Sequence, residues 1–190
     1  MAAQPLPAST TMPRQIAFLR AINVGGHNVR MEDLRRHLSA LGLTGVETFI
    51  ASGNAIFDHD ERPTVELEQA IALHLQQTLG YEVATFVRSD AEVAAIASHP
   101  AFEVDRATSG PLAVCLLAQP MSAAQQTTLL AMRNEHDDFH IHGREVYWLR
   151  RQQPSESVFS NMLFEKTLKL KTTLRGISTL QKLAAKYPAA

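Results

Sequence analysis

The sequence predicts an α+β protein made of two ferredoxin-like halves packed together, with C-terminal helices. Three observations predict it. Over residues 15–88 the apolar residues switch between a period of two and a period of 3.6, giving the order β-α-β-β-α-β. Most of that order recurs over residues 111–190. Glycine and proline stand where the elements ought to stop.

Gln15 to Ile22 is a compact apolar run that ends at Asn-Val-Gly-Gly, as a buried strand would. Met31, Leu34, Leu38 and Leu41 follow the 3/4 spacing of an amphipathic helix closed by Gly42. Val46 to Ile50 and Ala55 to Phe57 form a hairpin around the turn Ser52-Gly53-Asn54. Pro63 and Thr64 open a second helix, which Gly80 ends. Tyr81 to Val87 alternates as a fourth strand. Right-handed crossovers then make the first and third strands central neighbours.

Residues 89–110 read as a linking helix near Asp90 to Ser98 and a loop. Beyond them come a strand (Pro111 to Leu117), a helix (Ser122 to Met132) and a hairpin (Asp138 to His142, Glu145 to Leu149). Two helices follow, Ser157 to Leu170 and Ile177 to Tyr187. This half reads βαββαα and lacks a closing strand. The two halves share no residue-level identity, so the repeat is one of topology. Residues 1–14 hold three prolines and no apolar core, and read as a disordered lead rather than a secretory signal.

Hydrophobic residues make up 45% and charged residues 19%, an ordinary globular balance. The net charge of −1 gives no global attraction to nucleic acid or to an anionic membrane. The charge is uneven, however: Glu165 to Ala190 carries six Lys or Arg against one acid, on an otherwise acidic chain. The single cysteine, Cys115, sits in an apolar run and reads as a small buried hydrophobe. No stretch approaches the roughly 20 apolar residues of a membrane span. The compartment these features suggest is the reducing cytoplasm.

Two strings carry a resemblance. Phe18-Leu-Arg-Ala-Ile-Asn-Val-Gly-Gly26 is followed, in order and spacing, by Val46-x-Thr48-Phe-Ile-x-Ser52-Gly53-Asn54-x-x-Phe57. Together they resemble the start of the bacterial domain-of-unknown-function family 1697. The resemblance continues through Val146-Tyr147-Trp148 and returns at Thr173-Leu-Arg175-Gly-Ile-Ser-Thr179. It implies a fold and a set of candidate positions, not a reaction. Two departures stand out: Ala21 where the family usually has glycine, and Gly176-Ile177 where it usually has Asn-Trp.

The candidate ligand-binding residues are Arg20, Asn23, Gly25, Gly26, Ser52, Gly53, Asn54, Thr173, Arg175 and Thr179. Arg20 is the most informative. Flanked by Phe18 and Ile22 on one strand face, its guanidinium needs a carboxylate, a set of carbonyls or a bound anion. It is either a ligand clamp between the halves or part of an internal ion-pair network. Asn23 to Asn28 matches neither nucleotide-binding glycine pattern, and Glu32 and Asp33 would repel an anion at the next helix. Turn geometry explains its glycines, as it does Ser52-Gly53-Asn54. Thr173, Arg175 and Thr179 are read at the start of the last helix, where an anion could sit.

No metal and no cofactor is implied. His140 and His142 share a strand face near His136, but structural zinc needs four ligands, and an exposed edge strand explains them better. Three functions stay open. One is a binding module for a small phosphate- or carboxylate-bearing ligand in the cleft between halves. Another is an enzyme acting on such a metabolite, although no acid–base pair stands out. The third is a nucleic-acid binder, against which aromatics reach only 6% and no base-stacking strand motif occurs. Scaffolding without a ligand is the plain remainder.

Overall fold

The computed structural model describes residues 13–23, 26–102, 110–151 and 159–190. Most of the expected N-terminal lead, and Gly25 of the candidate residues, lie outside them.

The element order is β1 (Arg14–Leu19), α1 (Met31–Ala40), β2 (Glu47–Thr48), β3 (Asn54–Asp58), α2 (Thr64–Leu79), β4 (Thr85–Ser89) and α3 (Asp90–Ser98). It continues with β5 (Leu112–Leu116), α4 (Ala123–Leu130), β6 (Asp137–His142), β7 (Glu145–Arg150), α5 (Asn161–Leu168), β8 (Thr173–Gly176) and α6 (Ile177–Lys186). Two four-stranded antiparallel sheets result, ordered β2-β3-β1-β4 and β6-β7-β5-β8. In each, the first and third strands of the unit are central.

One expectation is corrected. The second unit does have a closing strand, β8, paired with β5 from Ala113↔Gly176 to Leu116↔Thr173. Thr173 and Arg175 therefore lie on a strand and not at the start of the last helix. Four residues are too few for a period of two to show against the helix that follows directly. The fourth strand of the first unit is also shifted, to Thr85–Ser89, so that it includes Arg88.

Alternation along each central strand explains why the strands read as continuous apolar runs: both faces are covered. Ala17, Leu19, Ala55 and Phe57 point outward onto Leu34 and Leu38 of α1 and Leu67, Ile71 and Leu75 of α2. Ala113, Cys115, Val146 and Trp148 point outward onto Leu129 of α4 and Phe164 and Leu168 of α5. The alternate residues Ile16, Phe18, Ile56, Val114, Leu116, Tyr147 and Leu149 share one core between the sheets. Val93, Ile96 and Ala97 of α3 and Leu180 and Leu183 of α6 belong to it too. Both α3 and α6 thus pack inside, each directly after a closing strand. Burial pushes the Cys115 thiol up to about 12, in keeping with an inert core residue.

The two departures from the family pattern acquire conformational meanings. Ala21 has φ of +64°, a left-handed backbone that glycine adopts without penalty. Gly176 is the N-cap of α6 at φ −62° and makes no side-chain cap bond, while a Cβ there would meet only Ser178 Oγ, at 3.9 Å. Asparagine would fit at that position and would cap the helix. Glycine forgoes that side-chain cap bond.

Candidate functional site

Arg175 gathers the candidate residues, and it does so as an internal lock. From β8 its side chain crosses to the hairpin of the other sheet. Nε donates to Asn54 Oδ1 (2.6 Å), and Nη2 donates to the carbonyls of Leu19 (3.0 Å), Ser52 (2.8 Å) and Gly53 (3.2 Å). Nη1 donates to Thr173 Oγ1 (2.8 Å) and the Leu174 carbonyl (2.9 Å). All five donors are engaged by neutral oxygens. Burial lowers the pKa to about 10, so the group stays cationic at neutral pH.

The turn Ser52-Gly53-Asn54 is shaped for this role. Asn54 is fully buried, and its Nδ2 donates to the Phe49 carbonyl (3.0 Å) and Ser52 Oγ (2.9 Å) while Oδ1 accepts from Arg175. Only an amide both donates and accepts in this way. Gly53 has φ of +72°, and a Cβ there would lie 2.9 Å from Ile22 Cβ. The turn and the C-terminal motif are two faces of one contact.

A second lock repeats the first with the halves exchanged. Arg88 on β4 stands two residues before α3, as Arg175 on β8 stands two before α6. Its Nε donates to Glu145 Oε1 (2.8 Å), at the start of β7, as Asn54 is at the start of β3. Its Nη2 donates to the carbonyls of Leu117 (2.8 Å) and Arg144 (3.4 Å), where Arg175 takes those of Leu19 and Gly53. The backbone agrees: Leu19 N–H bonds the Gly53 carbonyl, and Leu117 N–H the Arg144 carbonyl. The repeat therefore extends to residues, which corrects the expectation of topology alone. The Arg88 side chain has no solvent exposure, and burial lowers its pKa against the opposing pull of Glu145.

Arg20 lies past the end of β1 and not on its face. Its Nη2 is 2.6 Å from Glu165 Oε2 on α5, and its side chain is 38% exposed. The guanidinium thus has a carboxylate from the other half, the internal ion pair that was one of its two readings. Asn23, at φ +55°, bonds the Ala51 carbonyl and accepts from Val29 N–H, tying its loop to the hairpin. Gly26 has φ of +88°, as a turn requires. Thr179 is on α6 and is not a partner of Arg175. The structure brings together Ser52, Gly53, Asn54, Thr173 and Arg175, with Arg20, Asn23, Gly26 and Thr179 outside the lock.

Two open sites remain that the sequence reading missed. A cleft of about 390 Å³ runs between α2 and the β4 segment on one side and Ala118, Gln119 and Lys171 of the other half. Its wall includes Val65, Ala72, Leu73, Val83 and Phe86, with Val65 and Leu73 largely exposed. Lys171 pairs with Glu82 at its rim. Glu68 lies within it, accepting from Val87 N–H (2.8 Å). A second cavity of about 330 Å³ lies between α3 and the β6–β7 hairpin, lined by Glu92, His99, His142, Arg144 and Tyr147 among others.

Burial raises the Glu68 pKa above its ordinary 4.5. The folded chain therefore holds that proton more tightly than the unfolded chain. The contribution of Glu68 is most favourable below pH 4.5 and is lost as pH rises through the folded value. Glu68→Gln keeps an acceptor for Val87, and is expected to raise the melting temperature at pH 7 with little effect at pH 4. Thermal melts across that range check it; an equal shift at both ends would contradict the assignment.

No helix among the described residues is long and apolar enough to cross a membrane. The model of a family described as "Protein of unknown function (DUF1697)" matches residues 12–147. No curated protein matches. Among solved structures, the conserved bacterial protein SP0830 from Streptococcus pneumoniae is similar over 93% of this chain and 98% of its own, at 21% identity and a TM-score of 0.68. That likeness is one of fold.

Proposed function

Because the chain belongs to the DUF1697 family, whose description carries no reaction, we propose a function from the cleft itself: binding of a small ligand with an apolar body and one anionic head between the two halves. The observation that carries this reading is the pairing of an apolar wall from α2 and β4 with one cation, Lys171, supplied from the other half. Its volume of about 390 Å³ falls at the small end of ligand pockets, which span roughly 300–1,000 Å³. The exposed side chains of Val65 and Leu73 would be covered by such a body.

The head group belongs at Lys171 because that ammonium is 58% exposed and, among the described residues, held by the rim carboxylate of Glu82, which a ligand carboxylate can replace. The carboxylates of Glu68 and Glu82 disfavour a polyanion. Arg175 offers no free donor, so an anion has better purchase in this cleft than at the lock.

Calorimetric titration with octanoate, octanol and inorganic phosphate tests the reading. Octanoate is expected to bind, octanol to bind more weakly, and phosphate not at all. Ala72→Trp should abolish binding by filling the cleft. Lys171→Met should weaken octanoate alone by about two- to fivefold, the scale of an exposed ion pair. Octanoate binding that survives Ala72→Trp, or no octanoate binding, would overturn it. Phosphate binding lost on replacing Arg175 would move the site back to the lock.

A further inference from the structure

The β6 sequence Asp-Asp-Phe-His-Ile-His alternates about Phe139, which is fully buried in the outer core of the second sheet. His140 and His142 therefore share the opposite face. That face meets the C-terminus of α3, where His99 is the C-cap residue. The outcome is a cluster of three imidazoles from two distant stretches of chain. His99 Nε2 and His140 Nε2 are 3.0 Å apart. The His142 ring stacks on His99 with centroids 4.3 Å apart, and the Tyr147 ring stacks on it at 5.0 Å. Tyr147 is itself fixed, its hydroxyl donating to the Ile96 carbonyl (3.1 Å).

We propose that His99 and His140 are the protein ligands of an open transition-metal site beside the cavity between α3 and the β6–β7 hairpin. Two imidazole nitrogens on one tetrahedral ion stand about 3.3 Å apart, given metal–nitrogen bonds of roughly 2.0–2.1 Å. The observed 3.0 Å needs to widen by only a few tenths of an ångström. The two Nε2 atoms face each other at hydrogen-bonding distance, and neither imidazole is fully buried. The stacked rings of His142 and Tyr147 restrain the His99 plane.

Among the described residues no group of three or more His, Cys, Asp or Glu converges on one point. The described residues thus do not supply the four protein ligands of a closed structural zinc centre. Two ligands leave the remaining positions to water or to a molecule in the adjoining cavity of about 330 Å³. Imidazole donors select Cu²⁺, Ni²⁺ and Zn²⁺ over Mg²⁺ and Ca²⁺, with Cu²⁺ tightest. The competing explanation of the short contact is a hydrogen bond between two neutral imidazoles, and metal binding separates the two.

The test is calorimetric titration of the full chain, without an affinity tag, with Cu²⁺, Ni²⁺, Zn²⁺ and Mg²⁺. One equivalent of each transition ion is expected to bind, Cu²⁺ most tightly, and Mg²⁺ not to bind. His140→Gln and His99→Phe, the second keeping the ring stack, should each weaken Ni²⁺ binding at least tenfold. His136→Ala should leave it unchanged. Electron paramagnetic resonance of the Cu²⁺-loaded unsubstituted protein should show hyperfine coupling to two imidazole nitrogens, a readout that needs no variant to fold. Absence of stoichiometric binding, binding that survives both substitutions, or a Cu²⁺ spectrum without nitrogen coupling would each overturn the proposal.

Discussion

Replacing Glu145 by alanine is expected to destabilise the fold by about 3–5 kcal/mol, the usual result of stranding one member of a buried ion pair. Arg88 is then left as a cation with no exposed side-chain surface, held among the described residues by the carbonyls of Val87, Leu117 and Arg144. For a chain of this size the loss corresponds to a fall in melting temperature of roughly 6–20 °C. The double replacement Arg88→Met with Glu145→Leu removes both charges and strands only the carbonyls of Val87 and Leu117. It should therefore be less damaging than Glu145→Ala alone. Glu145→Gln keeps an acceptor for Arg88 Nε and should fall between the two. Urea unfolding of the four proteins measures the series. A cost below about 1 kcal/mol for Glu145→Ala would place the pair in the class of surface salt bridges and refute the lock.

Arg175→Met is expected to lower stability by at least about 3 kcal/mol, since buried oxygens left without donors cost roughly 1–3 kcal/mol each. The oxygens concerned are Asn54 Oδ1 and the carbonyls of Leu19 and Ser52; the Gly53 carbonyl still accepts from Leu19 N–H. Arg175→Lys should recover only a small part of the loss. An ammonium has three donors in place of five, and cannot span Asn54, Thr173 and the turn carbonyls together. Denaturant midpoints of the two variants decide the matter. Equal stability of Arg175→Lys and the parent would show that charge, and not the shape of the guanidinium, is what the turn requires.

These effects were only partly legible in the sequence. The helix Asp90–Ser98 was read near its observed bounds, and its start carries a local signal, the capping box of Ser89 and Glu92. The hairpin at Ser52-Gly53-Asn54 was legible for the same reason. Its role as an acceptor was not, because the donor that completes it comes from 121 positions along the chain. Arg20 shows the intermediate case. The reading placed it buried on a strand face, whereas it lies past that strand, 38% exposed, and nothing local pointed to its partner Glu165 on α5. The equivalence of Arg88 and Arg175 was hidden because the two locks use different acceptors, an acid in one and an amide in the other. His99 escaped notice for want of any pattern that ties a helix end to an edge strand 41 residues away.

The exchanged placement of the two arginines has a consequence for how the molecule comes apart. Each closing strand fills a hydrogen-bonding need of the opposite sheet, and α3 and α6 lie in the layer that separation would expose. Parting the sheets would strand both guanidiniums in the same event, so neither sheet has a partly opened state that spares the other. Opening at this layer is expected to be all-or-none. A single unfolding transition is therefore the expected result, even though the architecture counts as two units.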